Sequence, residues 1–300
     1  MYNISIDMTV IPHFFKARSR IGLLNKPNGQ KQYNIGVENG PDYVLDEVFL
    51  KNFGKHSMSS FNFPLPENIP DNQFIEELIR STTEFKKQIN KELKKGEMQI
   101  VIGGDHTVSL SSVLAVLERA KKKNLGYIHF DSHGDINLFK DSPSENFHGM
   151  YLRPLFDNFD ETRINNLVKN KLPANNLLMI GNLDLDEGEK RFIKNKNIKT
   201  ISGKHLEQNK AKAKKMLKEF TNSFDYLHVS FDGDVLDKTI FPSTGIPTEN
   251  GIKLEDVIEF LQIIKTHPNL SLDLAEFNPH KRGATKSKKV FQQILNLVLK

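Results

Sequence analysis

Four short segments of this 300-residue chain concentrate the side chains that hold cations and move protons. They are Gly103–Gly104–Asp105–His106, Asp131–Ser132–His133–Gly134–Asp135, Asp232–Gly233–Asp234 and Glu276–Phe277–Asn278–Pro279. Asp131, His133 and Asp135 fall at i, i+2 and i+4, which places all three on one side of an extended segment, and Asp232 and Asp234 repeat the spacing. Carboxylates crowded in this way repel one another and carry raised pKa values unless cations neutralise them. The spacing therefore predicts a site for two divalent ions, held by His106, Asp131, His133, Asp135, Asp232 and Asp234. Some of these carboxylates must bridge ions roughly 3.5–4 Å apart. The chain has no cysteine, so the donors are oxygen and imidazole nitrogen alone. Four carboxylates with two imidazoles make a hard set that suits Mn2+ or Mg2+ better than tetrahedral zinc. Water activated by two such ions is a nucleophile at neutral pH, and the predicted chemistry is metal-activated hydrolysis. Asp105 and Asp237 read instead as turn or capping residues, and His129 and His228, inside apolar runs, as packed core residues.

Each of the four segments follows an apolar run, and these runs are the elements that must position them. Strands are expected at Met98–Ile102, Gly126–Phe130, Leu177–Ile180, Lys199–Ile201, Tyr226–Phe231 and Leu270–Ala275, with an N-terminal strand near Ile4–Ile11. Helical patterns lie between them at Gln73–Lys94, Val108–Lys123, Glu189–Lys194, Asn209–Thr221, Leu254–Thr266 and Thr285–Leu299. Strand alternating with helix implies an α/β fold with a central, mainly parallel sheet flanked by helices. No linker or repeat divides the chain, so residues 1–300 read as a single domain; Lys16–Gln32, Lys51–Asn72 and Leu138–Asn146 are its most irregular parts. Functional groups of open parallel sheets gather at the carboxyl ends of the strands, which is where the four segments fall.

The net charge of +5 is small for this length and sits in Lys-rich pieces such as Lys91–Lys95 and Lys210–Lys218. These are expected to be solvated helix faces. No aromatic residues interleave with them to make a stacking platform, so no nucleic-acid partner is expected. The opening MYNISIDMTVIP lacks the pattern of a signal peptide, and no stretch reaches the ~20 apolar residues of a membrane span, so a cytoplasmic protein without a membrane partner is expected.

The three histidine- and aspartate-bearing segments, in this order, resemble the signature motifs of the ureohydrolases, the arginase and agmatinase family. The likeness runs from Gly36–Val37–Glu38–Asn39–Gly40–Pro41 to Glu276–Phe277–Asn278–Pro279. The resemblance implies an eight-stranded parallel sheet with two Mn2+ at its edge, one bound by His106, Asp131, Asp135 and Asp232, the other by His133, Asp131, Asp232 and Asp234. It further implies attack of hydroxide on a guanidinium carbon, releasing urea and an amine, and a trimeric or hexameric assembly. Glu276 matches the glutamate that pairs with the guanidinium, and His148, in Asn146–Phe147–His148–Gly149, matches the proton-shuttling histidine. These two and Asp135 are the residues expected to act in catalysis. The stretch from Asp135–Ile136–Asn137 to His148–Gly149 is most similar to arginases. The similarity assigns recognition of a substrate α-carboxylate to Asn137, Ser142 and Ser144 and of an α-ammonium to Asp186. L-Arginine is thus the expected small-molecule substrate; agmatine, a guanidino acid or formimidoylglutamate is the alternative. Departures from the family pattern are Ser132 in place of Ala, Lys238 in place of Pro, Ile246 in place of Thr and the segment Leu138–Phe139–Lys140–Asp141, whose Lys140 is a candidate to meet an anionic substrate group.

Overall fold

A computed structural model describes residues 10–23, 34–121, 124–181 and 184–300. Its centre is one eight-stranded sheet: β1 (Ile11–Arg18), β2 (Ser57–Asn62), β3 (Glu97–Gly103), β4 (Leu125–Asp131), β5 (Leu177–Gly181), β6 (Lys199–Ser202), β7 (Tyr226–Asp232) and β8 (Leu270–Ala275). The order across the sheet is β2-β1-β3-β8-β7-β4-β5-β6 and every pairing is parallel. The chain thus leaves a gap between β3 and β4 and closes it only with its last two strands.

Strand residues of alternate parity supply two apolar cores, one on each face. Ile100, Ile102, Ile128, Phe130, Val229, Phe231, Leu272 and Leu274 pack under the helices Gly203–Thr221, Leu254–Ile264 and Ala284–Leu299. Val101, Tyr127, Leu177 and Met179 face the helices Phe74–Glu92 and Val108–Ala120. Burial on both faces explains why the central strands read as continuous apolar runs, β4 and β5 being buried at every position.

The expected strand at Ile4–Ile11 lies almost wholly outside the described residues; within them the first strand is β1. The segment Lys51–Asn72, expected to be irregular, contains β2. Ser57–Met58–Ser59–Ser60–Phe61–Asn62 has no apolar run because it is an edge strand, half-buried on one face and exposed on the other. The helix expected from Asn209 starts at Gly203, where Ser202 and His205 form a capping box, and Asn209 interrupts it with φ −162° and ψ 81°. The Asn209 side chain accepts from Lys212 N at 3.0 Å and so caps the second segment.

Candidate metal centre

The carboxyl ends of β3, β8, β7 and β4 are neighbours in the middle of the sheet, and each delivers one part of the site. Gly104 lets the chain leaving β3 press against β1: a Cβ there would lie 1.9 Å from the Ser19 carbonyl oxygen. Asp105 accepts from the Gly22 amide and the Ser19 hydroxyl at 2.5 and 2.6 Å, and is the turn residue expected of it. His106 follows and turns inward, 1% exposed.

The acids after β4 and β7 reach the site by turns, which corrects the expectation of extended segments. Both strands end on the first predicted ligand of their segment, Asp131 and Asp232. Asp131 Oδ1 accepts from His133 N at 2.6 Å, and Asp232 Oδ1 accepts from Asp234 N at 2.8 Å. These are Asx turns, in which a short carboxylate side chain hydrogen-bonds its own backbone two residues on. One oxygen of each aspartate is thereby spent on local structure while the other points into the cluster. Asp135 has φ 50° and Glu276 φ 66°, left-handed conformations that non-glycine residues adopt only where the surroundings impose them.

The six predicted ligands come together. His106 Nδ1 lies 3.1 Å from Asp131 Oδ2, 2.9 Å from Asp135 Oδ2 and 3.4 Å from Asp232 Oδ2. His133 Nδ1 lies 3.4 Å from Asp131 Oδ1 and 3.2 Å from Asp234 Oδ2. Burial, together with Asp131, pushes Asp135 up to about 6. Burial also raises Asp232, as do Asp234 and Asp131, whereas it opposes the Asp131 carboxylate, which His106 nevertheless holds well below the usual range. Such a divided set cannot be fully ionised without cations. His106 Nδ1 and Asp131 Oδ2 are moreover fully buried, and none of their contacts has hydrogen-bond geometry. Orphaned lone pairs aimed at one another are what a bound divalent ion satisfies, so the residues present fit a metal centre of oxygen and imidazole donors.

A cleft of about 330 Å³ opens above this cluster. Its described lining includes carboxylates of Asp135, Asp184, Asp186, Asp232, Asp234 and Glu276 and contains no lysine or arginine. Glu276 is 3% exposed. Its Oε1 accepts from His106 N at 2.9 Å and from His148 Nδ1 at 3.0 Å, and its Oε2 from Asn34 Nδ2 at 2.8 Å. Burial disfavours charge on both Glu276 and His148, but each reverses this in the other, lowering the carboxyl and raising the imidazole. Asn137, Ser142, Ser144 and Asp186 line the other end of the cleft. Asn137 Nδ2 donates to Asp186 Oδ2 at 2.7 Å. The hydroxyl oxygens of Ser142 and Ser144 accept backbone amides of Glu145 and Asn146, which leaves their O–H groups to donate. Glu189 underlies this end, accepting from Ile136 N and Asp186 N at 3.2 and 3.0 Å, and burial raises its pKa to about 7.

Lys140 is exposed and does not line the cleft; its segment turns away because the Phe139 and Lys140 amides are held by Asp160 at 3.1 Å each. Ile246 lines the mouth, 57% exposed. The Ser132 hydroxyl donates to the Asp234 carbonyl at 2.7 Å and so ties the two Asx turns together. Asp237 accepts from Thr239 N and Asn250 N at 2.9 and 2.8 Å, again as a turn residue. His228 is buried in the sheet as expected, but with polar company: its Nε2 lies 2.8 Å from Asp273 Oδ2. His129, also read as core, lies 3.3 Å from Asp131 Oδ2. Its signal was its place at i−2 of Asp131, one step inward along the same alternation.

A buried histidine and carboxylate cluster at the carboxyl edge of a parallel sheet, under an acidic cleft, makes this an α/β protein with a candidate metal centre. A sequence model of the arginase family matches residues 20–299. The arginase of Staphylococcus aureus strain COL is 33% identical over 258 residues, covering 83% of this chain and 79% of that protein. The arginase of Entamoeba histolytica is 28% identical over 283 residues, covering 90% and 95%. A crystal structure of the latter in complex with L-ornithine superposes with a TM-score of 0.83 at 23% identity, over 97% of this chain and 99% of that one. The chain belongs to the arginase family and is a hydrolase of carbon–nitrogen bonds.

Proposed function

We propose that this protein hydrolyses L-arginine to urea and L-ornithine with two Mn2+ ions, held by His106, Asp131, His133, Asp135, Asp232 and Asp234. The observation that carries the reading is the two-ended cleft. A buried carboxylate, Glu276, stands beside the metal cluster at one end, and hydroxyl, amide and carboxylate groups suited to an α-amino acid stand at the other. The ions, when bound, lower the pKa of water and supply a nucleophile at neutral pH. The acidic lining draws a cation into the cleft although the whole chain is basic.

Glu276 is the partner for the guanidinium, because a carboxylate accepts two parallel N–H bonds and fixes the plane of the cation. A carboxylate has about four acceptor directions, and three are occupied by His106 N, His148 Nδ1 and Asn34 Nδ2. A bidentate guanidinium therefore displaces one of the two donors on Oε1, and since His106 N is buried, the partly exposed His148 is the exchangeable partner. Its release at the moment of binding leaves an imidazole beside the reacting group, free to pass a proton to the departing amine. At the far end Asn137, Ser142 and Ser144 donate to the α-carboxylate and Asp186 receives the α-ammonium. We read residues 1–300 as one domain, and the protein as a cytoplasmic homo-oligomer, trimeric or hexameric, as its family resemblance implies.

Agmatine lacks the α-carboxylate, so the test is steady-state urea release from arginine and agmatine by protein supplied with Mn2+. Arginine is expected to be the better substrate by kcat/KM, and Ser144→Ala to reduce only the arginine value, by several-fold for one lost hydrogen bond. Faster turnover of agmatine would overturn the assignment.

A further inference from the structure

One layer beneath the acid cluster the sheet carries a polar rung. His129 on β4 is paired in register with Ser230 on β7, and Ser230 with Asp273 on β8, all with 0% exposure. His129 Nε2 is fully buried with no hydrogen-bond partner, like its neighbours Asp131 Oδ2 and His106 Nδ1. Donor atoms of His106, His129 and Asp131 lie within 4.8 Å of one another. The two imidazoles stack at 5.3 Å between centroids and 26° between planes, so their inner edges reach the same space.

The outer edges decide which nitrogens carry protons. Asp273 Oδ1 accepts a hydrogen bond from the Ser230 hydroxyl at 2.6 Å, and its Oδ2 lies 2.8 Å from His228 Nε2. Ser230 is then an acceptor for His106 Nε2 at 2.8 Å, which puts the His106 proton on that nitrogen and leaves Nδ1 bare. His129 Nδ1 lies 3.3 Å from the Tyr151 hydroxyl, so the outer nitrogen of this ring has a partner and the inner one, Nε2, has none. One cation satisfies all three orphaned atoms at once.

We propose that His129 is a third imidazole donor of the metal centre, acting beside His106 on the same ion, and that it moves the ion preference of this protein from Mn2+ toward Co2+. Imidazole nitrogen favours the later divalent metals more strongly than carboxylate oxygen does, and Co2+ stands above Mn2+ in intrinsic affinity. The inference rests on reading the cluster as a metal centre. Its test is equilibrium dialysis of metal-free protein against Mn2+ and Co2+ separately, with metal content and the visible absorption of bound Co2+ as readouts. His129→Phe keeps the stacked ring and removes the nitrogens. It is expected to weaken one of the two Co2+ sites at least about tenfold, to weaken Mn2+ less, and to change the Co2+ bands. His129→Gln keeps a group able to hydrogen-bond Asp131, and is expected to lose Co2+ affinity as well. Wild-type Co2+ affinity in either variant overturns the proposal, because a hydrogen bond to Asp131 or simple packing is then the whole role. If His129→Phe does not fold, His129→Gln decides by the same criterion. Wild-type protein that takes up neither ion overturns the metal-hydrolase reading itself, whereas wild-type uptake with unaltered variants overturns only the role of His129.

Discussion

Glu276→Gln separates binding chemistry from structural support, and the hydrogen bonds of Glu276 set the scale of both. In the wild type Oε1 serves His106 N and His148 Nδ1, and Oε2 serves Asn34 Nδ2. A glutamine can leave its carbonyl at the first position and keep two of those three bonds. Its amide then faces the Asn34 amide, which cannot rotate freely because Asn34 Oδ1 already accepts from Asn278 Nδ2 at 2.8 Å. One lost hydrogen bond and one strained contact cost about 1–2 kcal/mol of stability. The catalytic loss is larger. Two parallel charge-assisted bonds to a guanidinium, at about 1.5–3 kcal/mol each, amount to about 3–6 kcal/mol. At about 1.4 kcal/mol per decade that is a fall of about 10² to 10⁴ in kcat/KM. The assay is urea release from arginine with Mn2+ in excess, beside a urea-unfolding curve for each protein. A variant that stays within tenfold of wild type refutes the pairing of Glu276 with the guanidinium. A variant that loses activity only in proportion to lost folded protein refutes it equally.

Three further outcomes are expected. Gly104→Ala puts a methyl group 1.9 Å from a backbone oxygen of Ser19; it should cost about 3 kcal/mol or more and lower the thermal midpoint by at least about 6 °C, and an unchanged midpoint would show that β1 and β3 separate easily. Ser132→Ala removes the hydroxyl bond to the Asp234 carbonyl but no proposed ligand; unfolding should show a loss of about 1 kcal/mol with Mn2+ content unaltered, and loss of an ion would mean that the tie shapes the centre. Burial disfavours the Asp42 carboxylate, yet Arg18 and Lys16 hold its pKa below the ordinary 3.8. Asp42 therefore adds stability above that value and loses the contribution as pH falls through the folded-state pKa. Because the pair is partly exposed, Asp42→Asn should cost less than about 1 kcal/mol at neutral pH, with the gap closing in acid; urea unfolding at a series of pH values would expose a gap that does not close.

What was legible in the sequence follows from burial on both faces. β4, β5, β7 and β8 sit in the interior and have to be apolar almost throughout, so their apolar runs end where function begins, at Asp131, Asp232 and Glu276. β2 carried no such signal, since a half-exposed edge strand can be Ser57–Met58–Ser59–Ser60. Helix starts slipped where capping chemistry decides them, at Ser202 for one helix and at Asp186 with Glu189 for another. The two-residue spacing draws attention to acids that the structure brings together, for a reason that holds only in part. Asp131 is the end of a strand, but His133 and Asp234 come round by Asx turns, and a left-handed residue at Asp135 is not something spacing reveals. His129 reads as packing, as a histidine in an apolar run ordinarily does, and it is fully buried; only the orphaned Nε2 beside Asp131 sets it apart. The expectation for Lys140 fails because a loop's direction depends on Asp160, twenty residues away.

The late insertion of β7 and β8 has a consequence for how the molecule comes into being. Until β8 has been made, no chain of paired strands links β3 to β4. His106 and Asp131 are then parts of separate units, each ending in an unpaired strand edge. The final joining brings together segments far apart in sequence, so loop-closure entropy is spent before either core is whole, and folding should be slow for a chain of this length. During that interval the bare edges of two apolar strands are the parts of the nascent protein most prone to pair with another chain. The metal centre can be completed only when that gap is filled, and ions present at that stage would favour the joined state over the open one.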